Sequence, residues 1–285
     1  MPLWESLQDY DWVDLSLMLS PEHPGHWPGN IPLSVRRLGW YDNSTSPYFN
    51  RLLTLEEHTG THFDAPSHFI PAPGLGFPRA NEFGRQTVEQ IPLSGFIKSA
   101  CVIDASDLVG AATNGISPEV TVERVKQWEA AHGKLTADDA VLLRTGWSDR
   151  FYQAGAEGAA YAEKAVVNRS TPAWPAPDRK ALQHLLDRGV RLFGTDCPSA
   201  GLLHDIVECH YLALGAGMLF VENLTNLGAL PPRGAVFMFL PLRLEGGSGS
   251  PGRAIAAVPR GPRAPTESPG RRDAGSHAAG KRAGG

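Results

Sequence analysis

Cysteine is scarce in this 285-residue chain: only Cys101, Cys197 and Cys209 occur. They lie far apart and match neither a zinc nor a redox spacing, which argues against a disulfide scaffold or a cysteine-held zinc. Reduced thiols in a cytoplasmic protein are expected. The chain also lacks a stretch of about eighteen apolar residues, the length a membrane-spanning helix needs, so no membrane partner is expected. Its start, MPLWESLQDYDW, lacks the basic region and apolar run of a secretory signal. Positive charge is not in excess either. Lys and Arg number 26 against 30 Asp and Glu, a net charge of −4, which argues against nucleic acid as a partner. No internal repeat is visible. A hydrophobic content of 42 % and a charged content of 20 % are those of an ordinary globular protein, and the length allows a sizeable core.

Residues 260–285 differ from the rest. They contain six Lys or Arg and two Asp or Glu, so they carry +4 and the remainder carries −8. They hold no aromatic residue, Val, Ile, Leu or Met, and a segment that cannot bury apolar surface is expected to be a disordered basic tail rich in Pro and Gly.

Before that tail the pattern reads as mixed α/β. Strands are expected over residues 13–19, 33–40, 52–56, 97–104, 140–145, 190–194, 235–244 and 254–258. Helices are expected over 118–132, with Ser117 as cap and Gly133 as stop, and over 178–188, stopped by Gly189. The small apolar residues 210–221 fit helix or strand. A helix, a glycine and a strand in succession at 178–194 suggest an α/β unit. The loop PEHPGHWPGNIP holds His23, His26 and Trp27 and reads equally as surface loop or as pocket wall.

The most informative stretch is HTGTHFDAPSH, residues 58–68. It puts His58, His62, Asp64 and His68 into eleven residues. Imidazole and carboxylate are ligand types that suit zinc, manganese and iron. A helix is unfavourable here, because Gly60 separates two β-branched threonines and Pro66 removes a donor. In extended chain His62 and Asp64 point to the same side, and a turn at Gly60 can bring His58 back beside them. Three ligands on one side of an ion leave positions open for water or substrate, as metal catalysis needs.

This stretch closely resembles the His-x-Gly-Thr-His-x-Asp-x-Pro-x-His signature of the metal-dependent cyclase family, which includes isatin hydrolases and bacterial kynurenine formamidases. The resemblance covers roughly residues 13–259 and so implies a single cyclase-family hydrolase domain over 1–259. It implies a compact β-sheet or barrel-like core flanked by a few helices, and a homodimer or higher homo-oligomer. It also implies a divalent ion, Mn2+ or Zn2+, held by His58, His62 and Asp64. Such an ion lowers the pKa of a bound water from about 15.7 toward 7. The position of His68 is that of a general acid/base, which suits an imidazole. The implied activity is cleavage of an amide bond in a small cyclic or aryl substrate, with no nucleic acid partner.

Other residues gain meaning from the same resemblance. His210 and Glu222 match the pair that completes a second metal site in the two-zinc kynurenine formamidases. The run GAGMLFVENL through EGGSGSPGR, in contrast, resembles the isatin hydrolases, which hold one ion. One tightly bound ion is therefore expected, with His210 and Glu222 near the pocket. Asp196 and Ser199 of GTDCPSAG are expected near the pocket too, and Cys197 is read as a buried inert thiol rather than a nucleophile. Trp40, Phe63 and Trp147 are candidate walls for a flat substrate. The alternatives are a two-zinc formamidase, a lactone-forming or cyclising enzyme, and a metal-binding module without turnover. A closed four-ligand set would favour the last.

Overall fold

The computed structural model describes residues 2–41 and 47–260. The expected disorder of the tail concerns residues that, from 261 on, lie outside that range. Among the described residues twelve strands form in chain order: β1 Tyr10–Asp14, β2 Ser34–Trp40, β3 Phe49–Thr54, β4 His62–Asp64, β5 Ile97–Asp104, β6 Glu119–Val120, β7 Asp139–Arg144, β8 Ala176–Pro177, β9 Leu192–Thr195, β10 Leu219–Glu222, β11 Arg233–Pro241 and β12 Gly249–Pro259. The α-helices are α1 Leu3–Leu7, α2 Val122–His132, α3 Trp147–Phe151, α4 Glu163–Val166, α5 Arg179–Asp187 and α6 Ile206–Leu214.

The architecture is mixed α/β around a closed barrel. Hydrogen bonds run β12–β11–β5–β7–β9–β10–β4, and β4 pairs back onto β12, which closes a ring of seven strands. β1 continues the sheet outside the ring as a further neighbour of β12. β5, β7, β9 and β10 run parallel, and helices join them.

Alternation along the strands builds two cores. Ala100, Val102, Ala140, Leu142, Leu219 and Val221 point inward and fill the barrel with Phe63, Phe96, Phe237 and Phe239. Their neighbours Cys101, Ile103, Val141, Leu143, Phe193 and Phe220 point outward and meet α2, α5 and α6.

Several boundaries differ from the sequence expectation, and the strand expected over residues 13–19 forms earlier, as β1. The helix expected from residue 118 starts at Val122, because residues 119–120 form β6 against β8. Ser117 does not cap it; its hydroxyl accepts from the Leu203 N–H instead. The ambiguous stretch 210–221 is both things: the end of α6, a turn with Gly217 at φ +76°, then β10. The helix expected at 178–188 forms as α5, and the Asp178 carboxylate caps it by accepting from the Ala181 N–H at 2.6 Å.

Candidate metal centre and its cavity

The signature residues divide between a turn and a strand. Gly60 has φ +66°, a backbone conformation that favours glycine, and a Cβ there would lie 2.2 Å from Leu19 Cδ2 and displace that side chain. The chain then enters β4, whose Phe63 goes into the barrel while His62 and Asp64 face outward. β10 runs antiparallel beside it and places Glu222 opposite His62. On the other flank Gly249 of β12 faces Asp64. A Cβ on Gly249 would lie 2.4 Å from His58 Cε1, so the bare strand makes room for that ring. α6 lays His210 over the same outer face.

The side chains converge on Asp64. His58 Nδ1 is 2.8 Å from Asp64 Oδ1, and His62 Nε2 is 3.4 Å from the same oxygen and 3.6 Å from Glu222 Oε2. His210 Nε2 lies 3.8 Å from Asp64 Oδ2 and 3.6 Å from Glu222 Oε1. His68 stacks on His58 with ring centroids 3.9 Å apart, at the open side of the cluster.

The hydrogen bonds on the far side of each ring fix which nitrogen faces inward. His62 Nδ1 is 2.8 Å from the Gly60 carbonyl and His210 Nδ1 is 2.7 Å from the Ile206 carbonyl. A carbonyl only accepts, so both Nδ1 atoms carry hydrogen and both Nε2 atoms face the carboxylates. His58 is turned the other way. Its Nε2 lies 3.1 Å from Ser248 Oγ, and that hydroxyl donates to Glu57 Oε2 at 2.8 Å. Nε2 therefore donates, and Nδ1 faces Asp64. In neutral rings three bare nitrogens would confront two carboxylates, an arrangement that a proton or a metal cation reconciles.

The titration of the cluster follows. Burial acts to lower the His62 pKa, but the bond and charge of Asp64 and the charge of Glu222 outweigh it and hold it at about 9. Burial likewise opposes, and Glu222 and Asp64 overcome, a raised pKa at His210. Burial would raise Asp64, yet the charges of His68 and His58 and the bonds from His58 and His62 keep it well below the usual carboxylate range. At His68 burial wins, helped by the charges of His58 and His210, and its pKa falls. The donor set of buried imidazole and carboxylate could hold a divalent ion. Ligand atoms of His58, Asp64 and His68 lie within 4.8 Å of one another, and so do those of His62, Asp64 and Glu222. Asp64 belongs to both groups, and the trio expected from the sequence is spread across them.

A cavity of about 310 Å³ opens over the cluster. His58, His62, Asp64, His68, His210 and Glu222 line its base. Pro24, Trp27, Phe69, Pro198 and Ile206 supply apolar walls, and no Lys or Arg lines it among the described residues. Ser199 is present as expected, its hydroxyl donating to Glu222 Oε1 at 3.2 Å beside the Ala200 N–H at 2.6 Å.

Four expected pocket residues lie elsewhere. Trp40 is 55 % exposed at the end of β2, against Tyr41 and Phe49. Phe63 is sealed in the barrel because strand alternation turns it away from its neighbours His62 and Asp64. Trp147 is buried against Trp174 and Phe151. Asp196 is fully buried and accepts from the N–H groups of Thr145 and Gly146, and burial raises its pKa to about 6 despite those bonds. Its backbone carbonyl accepts from the Ser148 hydroxyl, which lies 3.0 Å from that of Tyr161 in the cavity wall. The Cys197 thiol is buried and burial pushes its pKa well up, which suits an inert thiol and not a nucleophile. Phe69 and Tyr161 carry no signal in the sequence that marks them as lining residues, whereas Trp27 was visible as an aromatic on a proline-rich loop.

This fold and this cluster define a cyclase-type hydrolase, and the chain belongs to the family described as "Putative cyclase", whose profile matches residues 13–201. Among its relatives is the isatin hydrolase of Roseibium aggregatum, 31 % identical over 260 residues, which span 87 % of this chain and 92 % of that protein. The kynurenine formamidase of Bacillus cereus is 26 % identical over 246 residues, 86 % of this chain and 96 % of that one. In structure the chain is similar to isatin hydrolase A from Ralstonia solanacearum, with a TM-score of 0.73, 32 % identity, and coverage of 89 % and 94 %. Among the described residues no helix is long and apolar enough to cross a membrane.

Proposed function

We propose that the protein is a metal-dependent amidohydrolase that opens an amide bond in a small cyclic or aryl substrate, in the manner its isatin hydrolase relatives suggest. The observation that carries this reading is the fixed inward orientation of His58 Nδ1, His62 Nε2 and His210 Nε2 around Asp64 and Glu222. A closed set of structural ligands would have no need of the cavity above it. A divalent ion such as Mn2+ or Zn2+, when bound, would polarise the amide carbonyl and make water a stronger nucleophile. We assign one ion to His58, His62 and Asp64. His68, stacked on His58 at the open side, moves a proton to the leaving nitrogen, and its lowered pKa suits a base at neutral pH. Trp27 and Phe69 form the faces against which a flat ring packs, and the cavity volume admits one such molecule. The enzyme works as a homo-oligomer in the cytoplasm, and residues 1–259 are its working domain.

A second reading has an observation of its own. Asp64 is shared by two ligand groups, which favours the two-zinc formamidase arrangement with His210 and Glu222 on the second ion. Metal analysis of the purified protein, then an amide-hydrolysis screen with added manganese or zinc, tests the proposal. Activity that saturates at one equivalent supports the single ion. Activity that rises only with the second equivalent, and loses that step in Glu222→Gln, moves the formamidase reading ahead. Protein that retains no ion and turns over no amide overturns both. Truncation after Arg260 is expected to leave turnover and melting temperature unchanged, because Arg260 itself anchors the last described turn of chain to Asp11 and to the Gln8 carbonyl.

A further inference from the structure

Asn223 follows Glu222 just past the end of β10 and is 5 % exposed. Its backbone has φ +58°, in the left-handed region that residues other than glycine rarely enter. That conformation breaks the strand alternation, in which neighbouring side chains leave on opposite faces. Two consecutive residues therefore reach one ring. Glu222 Oε2 lies 3.6 Å from His62 Nε2, on the side that faces the cluster. Asn223 Nδ2 donates at 3.0 Å to the Gly60 carbonyl, which holds the same ring from behind through Nδ1.

The partners of the Asn223 amide fix its orientation. A carbonyl only accepts, so the nitrogen faces Gly60, and the amide oxygen faces the Tyr161 hydroxyl, which donates to it. Tyr161 lines the cavity. The main chain of Asn223 adds two ties. Its N–H donates to the Cys197 carbonyl at 3.0 Å, and its carbonyl accepts from Thr61 Oγ1 at 2.5 Å. One residue thus grips the metal turn at Gly60 and at Thr61.

The Gly60 carbonyl needs that grip. Glycine has no Cβ to restrict its dihedrals, so the peptide between Gly60 and Thr61 turns over more easily than one beside any other residue. A turned peptide takes its oxygen away from His62 Nδ1 and frees the ring. The carbonyl oxygen has two lone pairs, one for His62 and one for Asn223. We infer that Asn223 is a positioning residue of the metal centre, which links the Tyr161 wall of the cavity to the His62 ring and keeps its Nε2 turned toward the ion. The residue type follows. Glycine suits the backbone but has no amide. An ionised aspartate tolerates the left-handed conformation and accepts from Tyr161, but it offers Gly60 no donor. Asparagine meets all three demands.

The inference rests on the metal-dependent reading, and its test separates the two. Asn223→Gly keeps the left-handed backbone and removes only the side chain. In the full-length protein the Mn2+ Kd, read by competition with a fluorescent chelator, is expected to rise about 10- to 100-fold, as loss of a partner behind a ligand does. The electron paramagnetic resonance spectrum of the bound Mn2+ is expected to change with it, whereas a merely structural role would move the melting temperature of the metal-free protein and leave that spectrum alone. Tyr161→Phe is expected to raise the Kd by roughly 2- to 10-fold, the worth of one neutral hydrogen bond. The double variant is expected to match Asn223→Gly, because Tyr161 acts on the ring only through Asn223. Should Asn223→Gly fail to fold, Tyr161→Phe leaves the backbone at 223 untouched and decides by the same two Mn2+ measurements. An unchanged Kd and spectrum overturn the inference while the metal reading stands. Effects that multiply in the double variant overturn the link through Tyr161. A wild type that binds neither Mn2+ nor Zn2+ overturns the metal reading and this inference with it.

Discussion

Buried carboxylates meet histidine at two places in this molecule, with opposite outcomes. Glu129 of α2 accepts from Arg188 Nε at 2.7 Å and Nη2 at 3.0 Å, from the Leu135 N–H at 3.0 Å, and pairs with His184 Nε2 at 2.9 Å. Its positions are filled by protein donors, and an arginine supplies the opposing charge. Asp64 has only imidazoles facing it, and Glu222 adds to its imidazoles just the neutral donors of Ser199 and the Ala200 N–H; the rings of His58, His62 and His210 are each held from behind so that a bare nitrogen points in. No guanidinium or ammonium lines that cavity among the described residues. The first cluster is complete without anything from outside, and it ties α2 to α5. The second is short of positive charge, and the missing charge is what a dication brings.

The comparison breaks first at Asp64, which every ligand nitrogen of the site approaches. Asp64→Asn keeps the shape and removes the charge. It is expected to leave no bound ion after dialysis and no turnover, with far-ultraviolet circular dichroism intact. A variant that kept a full equivalent of metal would show that the cluster needs no ion to balance it. His68 sits at the open edge of the same cluster, stacked on His58. His68→Ala is expected to hold its metal and lose roughly 10² to 10⁴ in kcat, the worth of general acid–base catalysis. Loss of the ion in that variant would make His68 a ligand.

A smaller effect is expected one shell further out. Glu57 accepts from both the backbone N–H and the hydroxyl of Ser248, and through that hydroxyl it sets which nitrogen of His58 faces Asp64. Glu57→Gln can offer a donor to Ser248 in place of an acceptor, and the His58 ring loses its fixed orientation. Metal affinity is expected to fall by about 10- to 100-fold, as loss of such outer partners does, and Ser248→Ala is expected to act alike. An unchanged metal Kd in both variants would leave Glu57 as a clamp on the β12 turn and nothing more.

The contrast between the two clusters was only partly legible in the sequence. The signature could be read because its ligands are contiguous and Gly60 and Pro66 mark the turn. The α2–α5 clamp could not, because Glu129 and Arg188 are 59 residues apart and meet only when two helices pack. The same limit applies to His210 and Glu222, whose meeting depends on a turn at 215–217 that the apolar run conceals. Phe63 shows a different kind of miss. The spacing that put His62 and Asp64 on one face of β4 already sent the residue between them to the other. Trp40 was legible as an aromatic but not as part of an arm, since nothing local says that a hairpin leaves the barrel. The barrel itself followed from resemblance, because ring closure through β4 and β12 joins residues 185 or more apart.

The smallest effect on the site is expected from the clamp, and it gives the comparison its control. Burial alone would raise the Glu129 pKa, but the bonds from Arg188, Leu135 and His184 outweigh it and hold it at about 2, below the ordinary 4.5. A carboxylate with a depressed folded-state pKa stabilises the fold fully above its unfolded value, and that contribution is lost as pH falls through the folded one. The window is therefore pH 4.5 down to about 2. Glu129→Gln is expected to cost about 1.5–3 kcal/mol at neutral pH, the range for hydrogen bonds to charged groups, while metal content and kcat stay at the wild-type level. Melting of the metal-free proteins isolates the clamp from the site. The gap in melting temperature between wild type and Glu129→Gln should hold steady above pH 4.5 and narrow below it. A gap that stayed constant through that range would mean that packing, not charge, carries the clamp.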